Sequence, residues 1–163
     1  MVTDWIENLA CEIKQKNREA AQRYGRMQHT AAITANLGMG FFISLISCIE
    51  DYIAAIRHQL QGDVTSSDTI IQTVNTHAVK LTRARFPWFD ANLTYQGDGI
   101  LLDYAKDRGA SGDPSLDRKT VHFAFNVADD DVLSIQEAFS ERPRSFETPE
   151  ALARHIIELL FSV

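Results

Sequence analysis

Five histidines are the residues of this sequence best suited to metal binding or acid–base chemistry. No two of them are spaced to place two imidazoles on one helical face, which is what an HxxxH or HExxH zinc site requires. They are His29, His58, His77, His122 and His155. We therefore expect these histidines to be structural or exposed, and we expect no bound metal.

Acidic and glycine-rich stretches give no stronger signal. Asp129-Asp130-Asp131 has three adjacent carboxylates but lacks the 1-3-5 spacing of a calcium loop, so it is read as a turn. Gly109-Ala110-Ser111-Gly112 lacks the Lys-Ser/Thr ending of a phosphate-binding loop. The sequence thus predicts no cofactor and favours a protein that is not an enzyme.

The run from Arg83 to Asp90 contains two arginines and three aromatic residues around a proline. Arg and Trp are frequent at binding hot spots, so Arg83, Arg85 and Trp88 could form a recognition surface. The alternative is that the aromatic residues close one end of the core where the chain enters a sheet.

The elements that would position these groups begin with a long apolar stripe. Between residues 6 and 60, steps of three or four residues connect sixteen positions, of which fifteen are apolar. The stripe consists of Ile6, Ala10, Ile13, Asn17, Ala20, Tyr24, Met27, Ala31, Ala35, Met39, Phe42, Ile46, Ile49, Ile53, Ile56 and Leu60. This spacing predicts α-helix over residues 1–61.

Three glycines raise the question of whether that region is one helix or two. The steps alternate as in a heptad repeat up to Met27 and become a stutter from Met27 to Met39. Gly25, Gly38 and Gly40 are each unfavourable inside a helix, and we expect a break or kink near residues 25–30. A helical hairpin turning at residues 36–38 is the alternative.

The second half of the chain alternates apolar and polar residues between turn signals. Residues 78–140 predict an antiparallel meander of four or five strands, with hairpins around Gln96–Gly99 and Asp129–Asp131. Thr148 followed by Pro149 then begins a C-terminal helix over residues 148–161. We expect a single α+β domain spanning residues 1–163.

Composition limits the classes of partner. The net charge is −6, without a basic stripe, so we expect no nucleic-acid binding. The first residues do not read as a secretory signal, and Cys11 and Cys48 are not expected to form a disulfide, so a cytoplasmic location is the expectation. Residues 27–49 lack charged side chains, but their Asn, His, Gln and Gly content argues against a membrane-spanning segment.

These observations favour a protein that works by association. The predicted helical region is longer than the strands of one small sheet can cover, so we expect a homo-oligomer, most simply a dimer, or an unidentified protein partner. The expected interface consists of Ala35, Met39, Phe42, Ile46, Ile49 and Ile53. The alternative is a small-molecule binding or sensing domain with a pocket between sheet and helices, lined by Tyr95, Tyr104, His122 and Phe125.

Overall fold

The computed structural model describes residues 2–60, 69–84, 88–106 and 118–162. Its first element is one α-helix, α1, that runs from Val2 to Gln59 without interruption. The expected break near residues 25–30 is therefore wrong, as is the alternative hairpin at residues 36–38. A glycine costs only about 1 kcal/mol relative to alanine inside a helix, which flanking helix formers and packing can offset.

Seven strands follow in a simple antiparallel meander, each paired with the next in chain order. They are β1 (Thr69–Asn75), β2 (Ala78–Arg83), β3 (Phe89–Tyr95), β4 (Gly99–Lys106), β5 (Lys119–Val127), β6 (Leu133–Glu137) and β7 (Ser145–Phe146). A second helix, α2, runs from Pro149 to Phe161. The α+β class and the order of elements are confirmed.

The expectation of four or five strands is wrong. The two edge strands, β1 and β7, were not expected because their apolar and polar residues do not alternate clearly. Strand β1 is mostly exposed, with side chains of both faces in contact with solvent, so its residues do not alternate cleanly. Strand β7 has only two residues. The sheet consequently extends beyond the expected residues 78–140 at both ends.

One face of the sheet is apolar because buried and exposed residues alternate along each strand and the register aligns the buried ones across neighbouring strands. Leu81 of β2 is paired with Ala91 of β3, which is paired with Tyr104 of β4, and all three are buried. The same alternation buries Phe123 of β5 and Ile135 of β6. Both helices contribute to the core that this face forms.

The C-terminal half of α1 covers that face. Five of its side chains are almost completely buried, namely Phe41, Phe42, Leu45, Ile49 and Ile53. Burying five large apolar side chains contributes on the order of 10 kcal/mol of transfer free energy. This half of α1 is thus a core helix.

Helix α2 is held at both of its ends. Thr148 is the N-cap, and its side chain accepts a hydrogen bond of 3.2 Å from the backbone N–H of Ala151. At the other end, Nζ of Lys106 donates to the backbone carbonyls of Leu159 and Ser162, at 2.9 and 3.1 Å. A cation at this position also complements the negative end of the helix dipole.

Gly38 lies where α1 packs closely against the aromatic side chains of the sheet. A Cβ at this position would lie 2.9 Å from the hydroxyl oxygen of Tyr95 and 3.2 Å from the ring of Phe125. Gly40, two residues along the same helix, has nothing within 4 Å of its Cβ position. The two glycines therefore differ in the space available for a side chain, although the sequence does not distinguish them.

We predict that the two alanine substitutions change stability by different amounts, with Gly40→Ala the more stabilising. Gly40→Ala should raise the free energy of unfolding by about 0.5–1 kcal/mol, because alanine is the better helix former. Gly38→Ala should give a smaller gain or a loss, because the new methyl group must displace the Tyr95 ring. Chemical denaturation of both variants measures this, and equal stabilisation by both would contradict the packing described here.

His155 of α2 lies in an aromatic pocket between the sheet and the helix. Its ring centroid is 5.0 Å from that of Phe146 and 6.4 Å from that of Phe123. Its Nδ1 lies 3.4 Å from a guanidinium nitrogen of Arg144, and its Nε2 lies 3.6 Å from a carboxylate oxygen of Glu137. Burial, followed by the charge of Arg144, lowers the pKa of His155 below its ordinary value, with Glu137 opposing the shift.

The fold should therefore lose stability as the pH falls below about 6.5, the ordinary histidine pKa. A histidine with a lowered pKa in the folded state binds fewer protons than it does in the unfolded chain, so protonation favours unfolding. Thermal melts between pH 5 and 8 should show this loss in the wild type and a weaker pH dependence in His155→Gln. His58→Gln, at an exposed position, is the control, and it should keep the wild-type profile. Parallel curves for wild type and His155→Gln would contradict the assignment.

Candidate functional site

The N-terminal part of α1 projects away from the sheet. Every residue from Thr3 to His29 is exposed. Among the described residues, polar contacts between α1 and the sheet region begin at Arg26. A guanidinium nitrogen of Arg26 lies 3.1 Å from a carboxylate oxygen of Asp129, and Nε2 of His29 lies 3.0 Å from Oδ2 of Asp131. We call residues 3–25 the arm, which is about 35 Å long at about 1.5 Å per residue.

The arm carries large apolar side chains that are between 46% and 63% exposed. They are Trp5, Ile6, Leu9, Ile13 and Tyr24. Met27, just beyond the arm, is 67% exposed and continues the same row. An isolated helix of mixed composition is marginally stable in water, and helices in proteins are stabilised mainly by packing of their apolar face. An arm with this row uncovered is therefore a candidate contact surface.

The row of apolar residues leads into a groove beside α1. The groove has a volume of about 590 Å³ and is open to solvent. Its lining consists of Met27, Thr30, Ala31, Thr34 and Ala35 from α1, and Tyr95, Gly97, Asp98 and Phe125 from the end of β3, the β3–β4 turn and β5. We call it the arm groove. Asp98 is the charged residue of this lining, and Tyr95 and Phe125 form its aromatic wall.

The structure distributes the expected interface residues between core and surface. Phe42, Ile49 and Ile53 are buried in the core of the same chain. Met39 and Ile46 are partly buried against that core, whereas Ala35 is exposed and lines the arm groove. The accessible apolar surface of α1 therefore lies mainly N-terminal to the expected interface.

The expected recognition residues are also separated. Arg83 is only 4% exposed; its guanidinium lies 3.3 Å from the Thr69 hydroxyl and 5.4 Å from the Phe161 ring centroid. Trp88 is half-buried, and Arg85 lies outside the described residues. Arg83 thus joins β1, β2 and α2 inside the protein.

Of the four residues expected to line a pocket, two come together. Tyr95 and Phe125 lie with ring centroids 6.3 Å apart in the arm groove. Tyr104 is buried in the core, where burial raises the pKa of its hydroxyl. His122 is exposed on the other face of the sheet, beside Phe139.

The described parts of the chain contain no cluster of metal ligands: no three His, Cys, Asp or Glu side chains there are close enough together to hold a metal ion. Both cysteines are free, with Cys11 exposed on the arm. Helix α1 is long and apolar enough to cross a membrane by length and composition, a test that core helices of soluble proteins also pass.

Comparison with known proteins assigns no relationship. No family model matches the chain, and neither a curated protein nor a solved structure matches it.

Proposed function

We propose that this protein is an association module that pairs with a second copy of itself through the arm. The observation that carries the proposal is the row of half-exposed large apolar side chains along residues 5–27. Monomeric soluble proteins rarely expose large apolar patches, and such patches commonly mark interaction sites. The proposal assigns the protein no reaction and no cofactor.

The heptad stripe that contains much of this row supports a helical partner. Between residues 6 and 27 its steps alternate between four and three residues, which is the spacing that pairs one helix with another. This stripe, which we call the seam, consists of Ile6, Ala10, Ile13, Asn17, Ala20, Tyr24 and Met27. Charged residues flank this row on the arm, including Lys14, Lys16 and Arg23. A narrow apolar seam between charged flanks is typical of a two-helix contact and differs from the broad apolar sector that α1 presents to its own sheet.

A homodimer requires no component other than this chain. Closed twofold pairing, in which the same surface is used by both copies, is the commonest form of soluble assembly. Pairing would cover the apolar row on both arms at once. It would also stabilise the arm, whose residues are exposed in the single chain.

A small-molecule binding site is the second candidate function. A groove of about 280 Å³ between α1 and the β1–β2 hairpin has an apolar floor, including Phe42 and Val79, and polar groups at its rim. The rim includes Glu50, Thr73 and Asn75. Ligand sites typically combine such a floor with a few polar groups, so a ligand-observed NMR screen with Asn75→Leu as control is the relevant measurement.

Sedimentation equilibrium tests the association proposal directly. The wild type should be dimeric at tens of micromolar, and Ile13→Glu should weaken dimerisation by at least about 10-fold, because each copy would place a charge in the apolar seam. Ile13 is exposed in the single chain, so the substitution should leave the melting temperature of the sheet region nearly unchanged.

Gln22→Glu is the matched control, because it adds the same charge to the other side of the arm. Its dissociation constant should stay within about twofold of the wild-type value, since exposed charges contribute little. A wild type that remains monomeric at these concentrations would overturn the proposal. Equal weakening of dimerisation by both variants would contradict the assignment of the contact to the apolar row.

A further inference from the structure

The arm and the arm groove form one continuous surface. Continuing the heptad positions of the arm beyond Met27 leads to Ala31, Thr34 and Gly38. Ala31 and Thr34 line the groove, and the Cβ position of Gly38 lies against Tyr95 and Phe125. The same side of α1 thus forms an open seam along the arm and one wall of a groove at its base.

The size of the side chains selects one way to pair two such seams. If two copies of α1 run antiparallel with Asn17 of each facing Ala20 of the other, every large apolar side chain at a seam position of the arm faces a smaller or differently shaped one. The remaining layers would pair Ile13 with Tyr24, Ala10 with Met27 and Ile6 with Ala31. A parallel, in-register pair would instead place Ala10 on Ala10 and Ala20 on Ala20, which leaves voids in the seam.

Charge also favours the antiparallel arrangement. Residues 3–13 contain three acidic and no basic residues, for a net charge of −3. Residues 14–27 contain five basic residues and one acidic residue, for a net charge of +4. Parallel pairing would bring like-charged segments together, whereas antiparallel pairing places the acidic end of each arm beside the segment around Arg26 of the other.

We infer that the arm groove is the receiving site for the N-terminal turns of α1 from a second copy, in an antiparallel dimer. This inference rests on the proposed function and adds its geometry. Ile6 of one copy packs against Ala31 of the other, and Leu9 lies beside Thr30. Twofold symmetry makes each of these contacts twice. The two arms then cross at residues 18 and 19, and the two sheet regions lie at opposite ends of the pair.

Distances between spin labels test the direction of pairing. Labels on Cys11, in a Cys48→Ala background, should lie roughly 30 Å apart, because residue 11 is level with residue 26 of the other copy, about 15 positions away along the helix. Labels on Arg18→Cys, in a Cys11→Ser, Cys48→Ala background, should lie closer together, roughly 18 Å apart, because residue 18 is level with residue 19 of the other copy and both labels sit on the outer sides of the paired helices. A parallel dimer would give short and nearly equal distances at both positions.

Substitutions in the groove test whether the pairing reaches it. Ala31→Glu should weaken dimerisation by at least about 10-fold, because Ala31 lines the groove and faces Ile6. Ala32→Glu is the matched control: it is the neighbouring exposed alanine on the same helix, outside the lining, and should change the dissociation constant by less than about twofold.

The outcomes separate this inference from the proposal beneath it. A dimer that Ile13→Glu breaks but Ala31→Glu leaves intact would overturn the groove as a receiving site while preserving association through the arm. Equal short distances at residues 11 and 18 would do the same. A monomeric wild type would overturn both.

Discussion

The packing of α1 against the sheet is the interaction on which the rest of the structure depends. Leu45, Ile49 and Ile53 are buried in the C-terminal half of this helix, and α1 has 58 residues whereas α2, the second described helix, has 13. Because the helix continues unbroken to Val2, the same interaction fixes the direction in which the arm leaves the sheet. The core and the candidate contact surface are therefore two parts of one element.

The division of α1 into these parts follows from the distribution of charge along it. Residues 27–49 contain no Asp, Glu, Lys or Arg, so this segment can lie against an apolar sheet without burying a charge. The arm is different, since nine charged side chains occur between residues 3 and 27. The apolar residues of the arm therefore form only a narrow stripe, which is the width that the proposed partner helix would cover.

Much of the fold could be predicted from the sequence, because the signals were local. Alternation around the turn at Asp131 predicted the β5–β6 hairpin, and Thr148-Pro149 predicted the start of α2, which the structure confirms. The continuity of α1 through Gly25 could not be predicted, because a glycine costs only about 1 kcal/mol inside a helix, an amount that the flanking helix formers can offset. Strands β1 and β7 were missed because edge strands need only one neighbour and carry little alternation.

The candidate site was harder to predict for a physical reason. Sequence periodicity identifies a face of a helix but not what covers it, so the densest apolar stretch, around Phe42 and Ile49, was assigned to an interface although it forms the core. The arm groove was even less accessible, because Tyr95 and Phe125 reach Gly38 only through the pairing of three strands. The signal in the sequence that separates the two is charge: charged residues flank the apolar stripe of the arm, whereas residues 27–49 contain none.

Because α1 runs unbroken from the sheet region through the arm, the arm has a defined length. In an antiparallel pair, the separation of the two sheet regions would be set by the number of residues between the base of the arm and the crossing point. Each added heptad would move them apart by about 10 Å per copy while keeping the same side of the helix toward the other copy. In the proposed pair, the length of the arm would set the distance between the two sheet regions.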